Sequence, residues 1–282
     1  MNVVPSPDST RGRFALLAPA QAIVPGNFRQ VDRDQEWHRQ MLKRAQRLRG
    51  KVYLDEGAIG RSELSPDGRH RVPIDEHAWH VLALDEGRQI YGCSRYMAHP
   101  NSTPFSGLNV ANCPLAKSRT WGARFRDAVE SEIELAQHRG IAYVEVGGWA
   151  LIPDLRRSVE ALRIALATFS LARTLGGCIG IATATQRHAS SSILRRIGGR
   201  PLTSGGVDLP AYYDPQYGCD MELVRFDSSE PNSRFEAWIV ELSDYLRMEP
   251  VIHREYAPSS PVRSRVPAPE NVGFEPSLAT AV

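Results

Sequence analysis

Hydrophobic residues recur at two different spacings along this 282-residue chain, and the spacings predict where strands and helices lie. The apolar, β-favouring runs His77–Leu84 and Gln89–Met97 flank the short turn Asp85–Arg88, which contains a glycine and is typical of a hairpin. After them, apolar residues at helical spacing from Trp121 to Ile133 predict an amphipathic helix over Ser118–His138. The chain therefore mixes strand-forming and helix-forming segments.

The run Tyr143–Ile152 is the most informative strand in the pattern. It is apolar and β-favouring, and its two central glycines, Gly147 and Gly148, predict a bulge or a close approach of another backbone. Pro153 then ends the strand. Because the run leads directly through a turn into a helix, we expect it to carry the functional site.

The helix after that turn is predicted over Val159–Leu175, and Gly176 follows as its stop signal. Arg156 and Arg157 come just before its first turn. Unpaired backbone N–H groups and the helix dipole both favour negative charge there, which predicts a site for a phosphate-bearing ligand. An ordinary strand-to-helix crossover with solvated arginines explains the same residues equally well.

The remaining segments complete a mixed α/β pattern. They are a first helix over Gln35–Gly50, a strand over Cys178–Ala184, a short helix over Ser190–Ile197, a strand over Met221–Phe226 and a closing helix from Phe235 to Leu246. Segments 1–30 and 251–282 predict a flexible N-terminal arm and a disordered Pro/Ser-rich tail. The predicted fold class is α/β, with one domain at 31–250, a mixed central sheet flanked by helices, and loose terminal segments.

Composition excludes several classes of function. The net charge of +2 implies no global electrostatic partner, and the basic residues lack the interleaved aromatics of a surface for single-stranded nucleic acid. The four cysteines are scattered without a C-x-x-C pair, which indicates reduced thiols in a cytoplasmic protein and no metal site. No apolar run reaches the roughly 20 residues of a membrane span.

Short motifs occur in a fixed order between about residues 35 and 202. They are Arg49-x-x-x-Tyr53, then Asp75 and Arg95 around the hairpin, Pro104-Phe-Ser-Gly-Leu108, Glu145-Val-Gly-Gly-Trp-Ala-Leu151, and Ile193-Leu-Arg-Arg-Ile-Gly-Gly199. In this order they resemble motifs of the acyl-homoserine-lactone (autoinducer) synthases and of the related N-acyl amino acid synthases, which are GNAT-like acyltransferases. The resemblance implies a GNAT-like domain that transfers a fatty acyl group from an acyl thioester to the amine of an amino acid or a related small molecule.

The same resemblance, with the chemistry of amide formation, implies roles for single residues. Glu145 is the expected general base, acting through a water, and the backbone N–H groups of Ala150 and Leu151 are expected to hold the thioester oxygen. The expected acceptor-binding residues are Arg49, Tyr53, Asp75 and Arg95, and the expected acyl-donor-binding residues are Trp149, Arg156, Arg157 and Ser158. A rim ion pair is an equal alternative for Asp75 and Arg95.

Two departures from the family pattern affect the donor and the product. Gly147 and Gly148 replace a serine and an arginine of the family, which argues against lactone synthesis itself. In the GNAT pyrophosphate signature, Val159 occupies a glycine slot, and its Cβ hinders close approach of a pyrophosphate. The sequence therefore favours a phosphopantetheine arm on an acyl carrier protein over coenzyme A, with no permanently bound cofactor. The basic first helix, with Arg39 and Lys43, suits such an acidic partner.

Two other functions stay open at this point. One is an acyl-homoserine-lactone synthase that uses S-adenosylmethionine. The other is a catalytically inactive GNAT-like module that binds an acyl carrier or another protein, for which Gly148 and Val159 would be the signature. His188 is a further candidate, as the acid for the leaving thiol, although a polar cap of the short helix is the preferred interpretation of this residue.

Overall fold

The computed structural model describes residues 12–100, 102–156, 158–187 and 189–254. Within these ranges the helices are α1 (Gln35–Asp55), α2 (Gly122–His138), α3 (Glu160–Thr174), α4 (Ser190–Arg196) and α5 (Glu236–Met248). The strands are β1 (Arg13–Ala18), β2 (Val31–Asp32), β3 (Trp79–Leu84), β4 (Ile90–His99), β5 (Ala142–Leu151), β6 (Cys178–Thr185), β7 (Arg200–Pro201), β8 (Thr203–Ser204), β9 (Val207–Asp208), β10 (Tyr212–Asp214), β11 (Cys219–Asp227) and β12 (Val251–His253).

One mixed sheet organises the described part of the chain. Its strand order is β10-β11-β6-β5-β4-β3-β1-β12-β2, and β7 pairs with β11 at one side. Residues alternate between the two faces, so Phe14 and Leu16 of β1 pack toward α3 and α5 whereas Ala15 and Leu17 pack toward α1. Helices α1 and α2 cover one face, and α3, α4 and α5 cover the other. The predicted α/β fold with helices on both sides of a mixed sheet is confirmed.

The parallel strands β5 and β6 diverge from each other in the middle of the sheet. Their pairing runs from Ala142 opposite Cys178 to Val146 opposite Ala182 and stops there, although both strands continue. The other neighbours stay paired, since β4 follows β5 to Leu151 and β11 follows β6 to Thr185. A gap therefore opens between two strands that are each held in place from the outside.

The sequence-based prediction misplaced the first strand. Residues Arg13 to Ala18 fall within the predicted flexible arm, yet they form β1, pairing with β3 and β12 inside the sheet. The apolar run Phe14–Ala18 is buried on both faces, and this burial rather than local pattern decides its structure. The strand β12 likewise extends the domain past residue 250, whereas most of the predicted tail, 255–282, lies outside the described residues.

Helix α1 also differs from its prediction, because it continues past Gly50 to Asp55. Gly50 does not end the helix. It is buried, and a Cβ there would meet the carbonyl oxygen of Gly68. The glycine therefore permits close packing of a loop against the helix, and the extra turn carries Tyr53 toward the gap in the sheet.

The other predicted elements lie within a few residues of their observed bounds. The segment between Pro201 and Pro210 contains the short strands β8 and β9 and the end of β7, and the run after it, which is dense in aromatic residues, contains β10. Among the helices of the described residues, none is both long enough and apolar enough to cross a membrane.

Candidate functional site

A cavity of about 500 Å³ occupies the gap between β5 and β6. On the α1 and α2 side its lining includes Tyr53, Arg95 and Glu145. On the α3 and α4 side its lining is mainly apolar and includes Ala165 and Phe169. The cavity thus passes through the sheet and joins a polar compartment on one face to an apolar compartment on the other.

The double glycine of β5 forms the bulge that the sequence predicted. Between β4 and β5 the register shifts, so that Cys93 lies opposite Ala150 while Arg95 lies opposite Gly147. Gly148 has φ +60°, a conformation that favours glycine. An added Cβ at Gly148 would lie 3.1 Å from Arg49 Nη1 and 3.2 Å from Arg95 Cβ. The bulge therefore lets the backbone lie directly against two arginines.

Those arginines share one buried carboxylate, that of Asp75. Asp75 Oδ1 accepts hydrogen bonds from Arg49 Nη1 at 2.8 Å and from Arg95 Nη1 at 2.9 Å. Asp75 Oδ2 accepts from Gln46 Nε2 at 3.0 Å and from Arg49 Nη2 at 2.5 Å. Arg49 is 1% exposed, but the side chain of Arg95 keeps 15% of its surface and lines the cavity. The structure thus brings three of the four predicted acceptor-binding residues together, with Arg95 closest to open space.

The charges of this cluster do not cancel, because two arginines face one carboxylate. Burial opposes the ionisation of Asp75, but the hydrogen bonds and the charge of Arg49 outweigh it and hold the pKa of Asp75 below its usual range. His80 Nε2 lies 2.9 Å from the Asp75 carbonyl oxygen, and burial lowers the pKa of His80 to about 3, so it adds no charge. The cluster carries a net positive charge at neutral pH, which suits an anionic ligand group.

Tyr53, the fourth predicted acceptor-binding residue, lies next to Trp149 in the wall of the cavity. The Tyr53 hydroxyl donates to the Trp149 carbonyl oxygen at 3.2 Å, which ties α1 to the bulge of β5. The Trp149 ring packs toward the core on the α3 side, and its indole Nε1 is buried with no hydrogen-bond partner among the described residues. Both side chains line the cavity.

Glu145 is buried on the α2 face, and both of its oxygens accept hydrogen bonds. Glu145 Oε2 lies 2.8 Å from His99 Nε2, 2.9 Å from the Asn109 backbone nitrogen and 2.8 Å from Asn109 Nδ2. Glu145 Oε1 accepts from the Val110 backbone nitrogen at 2.8 Å. Burial opposes its ionisation, but these hydrogen bonds outweigh burial and lower the pKa of Glu145. The carboxylate is therefore ionised at neutral pH and anchors the 105–112 segment beside the cavity.

The two backbone donors predicted for the thioester oxygen face different neighbours. The Ile152 N–H donates to the Tyr91 carbonyl of β4 at 2.9 Å, and alternation along the strand therefore directs the Ala150 N–H toward β4 as well. The Ala150 N–H lies at the thiol of Cys93. The Leu151 N–H lies on the opposite side, where β6 has departed. Of the two groups, the one at Leu151 faces the gap.

The residues predicted to bind the acyl donor are dispersed around the start of α3. Arg156 lines the cavity and forms an ion pair with Glu56 at the end of α1. The Ser158 hydroxyl accepts from the Glu160 backbone nitrogen at 3.1 Å, so it serves the first turn of the helix. Arg157, like His188, lies outside the described residues. Of the described members of this set, Trp149 and Arg156 line the cavity, Ser158 does not, and they do not form a closed phosphate site.

The N-terminus of α3 already holds an anion of this chain. Glu160 is the first residue of α3 and is buried, and its Oε2 accepts from the Tyr91 hydroxyl at 2.6 Å. Arg163 Nη1 lies 3.4 Å from the same oxygen, and Arg163 Nη2 donates to the Gly12 carbonyl at 2.6 Å. A carboxylate in this position uses the favourable potential of the helix start. Together with Arg163 it fills this end of the helix with an internal ion pair.

The sequence pattern did not identify several residues that complete the cavity. Asn109 and His99 were missed because their only signal is their contact with Glu145, which is 36 and 46 residues away along the chain. Asp214 was missed as well, and it lines the cavity together with Tyr217. The dense aromatic run that contains both was the available signal, but the pattern left open whether it forms a lid over an acyl chain, with Tyr217 in its wall, or only a rigid loop.

No protein-family model and no curated protein matches the chain. Solved structures do match. The CoA-dependent acyl-homoserine lactone synthase BjaI, with SAM and isopentyl-CoA, aligns with a TM-score of 0.50 and 17% identity over 88% of this chain and 94% of that chain. The CoA-dependent acyl-homoserine lactone synthase MesI aligns with a TM-score of 0.48 and 18% identity over 86% and 98% of the two chains. FeeM, an N-acyl amino acid synthase from uncultured soil microbes, aligns with a TM-score of 0.44 and 13% identity over 78% and 93%.

The likeness to BjaI shows that this chain has the fold of an acyl-homoserine lactone synthase. The expected resemblance to that group of GNAT-like structures is therefore confirmed at the level of the fold. At 17% identity it carries no further conclusion about chemistry.

Proposed function

We propose that this chain is an N-acyltransferase that moves a fatty acyl group from a thioester to the amine of an amino acid. One observation carries the proposal: a single cavity joins a cationic cluster at Arg95 to an apolar compartment through the gap between β5 and β6. An amine acceptor with an anionic end and an acyl chain require these two environments on either side of the reacting atoms. The gap in the sheet is where the two substrates meet.

Arg95 is the proposed binding group for the acceptor carboxylate. Its guanidinium donates one hydrogen bond to Asp75. It also lies beside Gly147, where an added Cβ would be 3.7 Å from Arg95 Nη2. A guanidinium presents a planar fork that fits a carboxylate with two hydrogen bonds. Asp75 and Arg49, which are buried, hold that fork in place. In this proposal Asp75 positions Arg95 and does not itself bind the acceptor.

Glu145 stays the proposed general base. It is ionised at neutral pH and lines the cavity on the same face as Arg95. Its oxygens are engaged by hydrogen bonds, so proton transfer from the acceptor ammonium runs through one water rather than by direct contact. The neutral amine then attacks the thioester carbonyl carbon. The C–S bond of the tetrahedral intermediate breaks, the nitrogen loses its extra proton, and the departing thiolate takes up a proton through solvent, which leaves the amide and the free thiol. The Leu151 N–H, on the open side of β5, is the proposed donor to the oxyanion.

The apolar compartment is the proposed site of the acyl chain. Its walls come from α3, from α4 and its end, and from β11, and they include Ala161, Ala165, Phe169, Ile193, Leu194, Ile197, Val224 and Phe226. Burial of each methylene of a bound chain contributes about 0.8 kcal/mol. Such a compartment therefore discriminates among acyl chains by length.

An acyl carrier protein is the proposed donor, in preference to coenzyme A. The support is the buried carboxylate of Glu160 at the start of α3, together with Val159, whose side chain occupies the slot of a signature glycine. Both oppose a pyrophosphate at that helix end, whereas a pantetheine arm without its nucleotide needs no such site. On α1, the exposed Arg39 and the half-buried Lys43 offer cations to an acidic carrier surface.

The proposed function is tested by incubating the purified protein with decanoyl thioesters of acyl carrier protein and of coenzyme A. Each donor is combined with the proteinogenic amino acids or with S-adenosylmethionine, and the products are measured by mass spectrometry. We expect N-decanoyl amino acids, formed with a higher kcat/KM from the carrier-bound donor. A lactone formed only from S-adenosylmethionine would identify a lactone synthase. Absence of any acyl transfer would identify a binding module.

A further inference from the structure

Three acidic side chains line the cavity, and they differ in how fully their oxygens are engaged. Glu56 forms an ion pair with Arg156. Glu145 accepts four hydrogen bonds, from His99, Asn109 and Val110. Asp214 accepts one, from the Gln216 backbone nitrogen to Oδ1 at 2.9 Å. Among the described residues, no donor approaches Asp214 Oδ2. Asp214 is therefore the cavity carboxylate with an oxygen free to bind a ligand.

The position of Asp214 is set by β10 and by the turn that follows it. The strand alternates buried Tyr212, exposed Tyr213 and buried Asp214, and Asp214 pairs with Cys219 at the start of β11. This alternation places Asp214 on the same face of the sheet as the polar compartment, with 8% of its surface exposed. The Asp214 Oδ1 bond to Gln216 fixes the side chain at the start of the turn.

Asp214 and Arg95 lie on opposite sides of the gap in the sheet. Arg95 belongs to β4, which stays with β5, whereas Asp214 belongs to the group of strands that stays with β6. Tyr217 also lines the cavity and is within electrostatic range of both: burial raises the pKa of Tyr217, the charge of Asp214 raises it further, and the charge of Arg95 opposes the rise. The two opposite charges thus line the same cavity, one on each side of the gap.

We infer that Asp214 binds the ammonium group of the acceptor amino acid while Arg95 binds its carboxylate. This inference rests on the proposed function and specifies its substrate class, a zwitterionic α-amino acid. Asp214 is largely buried and engages only one of its two oxygens among the described residues, and an ammonium group supplies hydrogen-bond donors for the other oxygen together with the opposite charge. Glu145 and Asp75 cannot take this role directly, because donors of the protein already occupy their oxygens.

The test compares the wild-type protein with Asp214→Asn. Asparagine keeps the oxygen that accepts from Gln216, so the turn is retained while the charge is lost. We expect KM for the amino acid to rise about 10- to 100-fold, with KM for decanoyl acyl carrier protein and the melting temperature unchanged. Asp220→Asn is the matched control, because Asp220 is an exposed aspartate of the adjacent strand outside the cavity lining. It should leave both KM values unchanged.

Binding is measured in parallel, as the thermal shift that each proteinogenic amino acid gives to the wild-type and variant proteins. A shift seen with the wild type and lost in Asp214→Asn supports the inference independently of turnover. If the wild type acylates amino acids and the variant does so with the same KM, the inference is wrong and the proposed function stands. If the wild type binds amino acids through Asp214 but transfers no acyl group, the proposed function is wrong and the inference stands. No binding and no transfer overturn both.

Discussion

Arg95 Nη1 lies 2.9 Å from Asp75 Oδ1, so an arginine of the cavity wall is held by a carboxylate that is itself buried. Arg49 engages the same oxygen from the other side at 2.8 Å. Because Asp75 is shared, Arg95 has a fixed orientation and retains donors that point away from the pair. The cluster is both a stabilising ion network and the support of the proposed binding group.

Replacing Arg95 with lysine should weaken binding of the acceptor. Lysine keeps the charge but loses the planar fork, and we expect kcat/KM for an amino acid to fall about 10- to 100-fold. The measurement is the initial rate at varied acceptor concentration. The corresponding amine without a carboxylate is the control substrate, and its kcat/KM should change little. Equal losses for both substrates would show that Arg95 does not bind the carboxylate.

Removing the charge of Asp75 should destabilise the fold. Asp75→Asn leaves the buried guanidinium of Arg49 without its counter-ion, and breaking such a pair costs about 3–5 kcal/mol. The pKa of Asp75 is lowered in the folded state, so its contribution is present above the unfolded pKa of about 3.9 and is lost as the pH falls toward the folded value. Urea unfolding should show a large difference between wild type and variant at pH 7 and a smaller one at pH 3. A difference independent of pH would contradict this account.

The two neighbouring glycines of β5 should respond differently to the same substitution. Gly148 has φ +60° and lies against Arg49 and Arg95, so Gly148→Ala should cost about 1–2 kcal/mol of stability and raise KM for the acceptor by displacing Arg95. Gly147 has ordinary backbone angles, and an added Cβ would make only a normal 3.7 Å contact with Arg95. Gly147→Ala is therefore the control. Thermal melts and acceptor KM values measure both effects, and equal behaviour of the two variants would contradict the bulge as the cause.

Glu145→Gln should reduce turnover more than binding. If Glu145 removes the ammonium proton through a water, kcat should fall about 100-fold or more while KM for the acceptor changes little. The lowered pKa of Glu145 keeps it ionised above about pH 5, so its own titration should not limit the rate between about pH 5 and 7. Asn109→Ala removes one donor, the side-chain amide, from the same carboxylate and leaves its charge in place. It therefore tests whether anchoring of the carboxylate, rather than its charge, determines kcat. Full turnover in Glu145→Gln would exclude Glu145 as the base.

The apolar compartment should set the length of the acyl chain. Ala165→Phe fills space on α3 and should shift the preferred donor to shorter chains, whereas Phe169→Ala one turn later should shift it to longer chains. The measurement is the product distribution from an equimolar mixture of acyl carrier protein thioesters of different length. Shifts in the same direction for both variants would indicate general loosening of the core and would contradict this assignment.

Local pattern was sufficient for most of the secondary structure and for the motif order, because helices α2 and α3 and the hairpin of β3 and β4 carry strong periodicity or turn signals. It failed for β1, whose structure depends on pairing with β3, a strand that is distant along the chain. In the candidate site too, local pattern predicted some features and long-range packing decided the others. Pattern and resemblance selected Arg95, Asp75 and Glu145 as candidates and left an ion pair of Asp75 with Arg95 open. They did not predict the bonds from Arg49 and Gln46 to Asp75, the donors that engage Glu145, or the free oxygen of Asp214. Those facts arise from long-range packing.

The passage of the cavity through the sheet has a consequence for how this scaffold can vary. The residues proposed to contact the acceptor and those proposed to contact the acyl chain line the cavity on different faces of the sheet. Free-energy effects of distant substitutions without shared partners are close to additive. The free-energy effects of a substitution at Ala165, which changes the acyl preference, and of one at Asp214, which changes the acceptor preference, should therefore add. Natural drift or engineering can therefore change the acceptor preference and the acyl-chain preference separately, one substitution at a time.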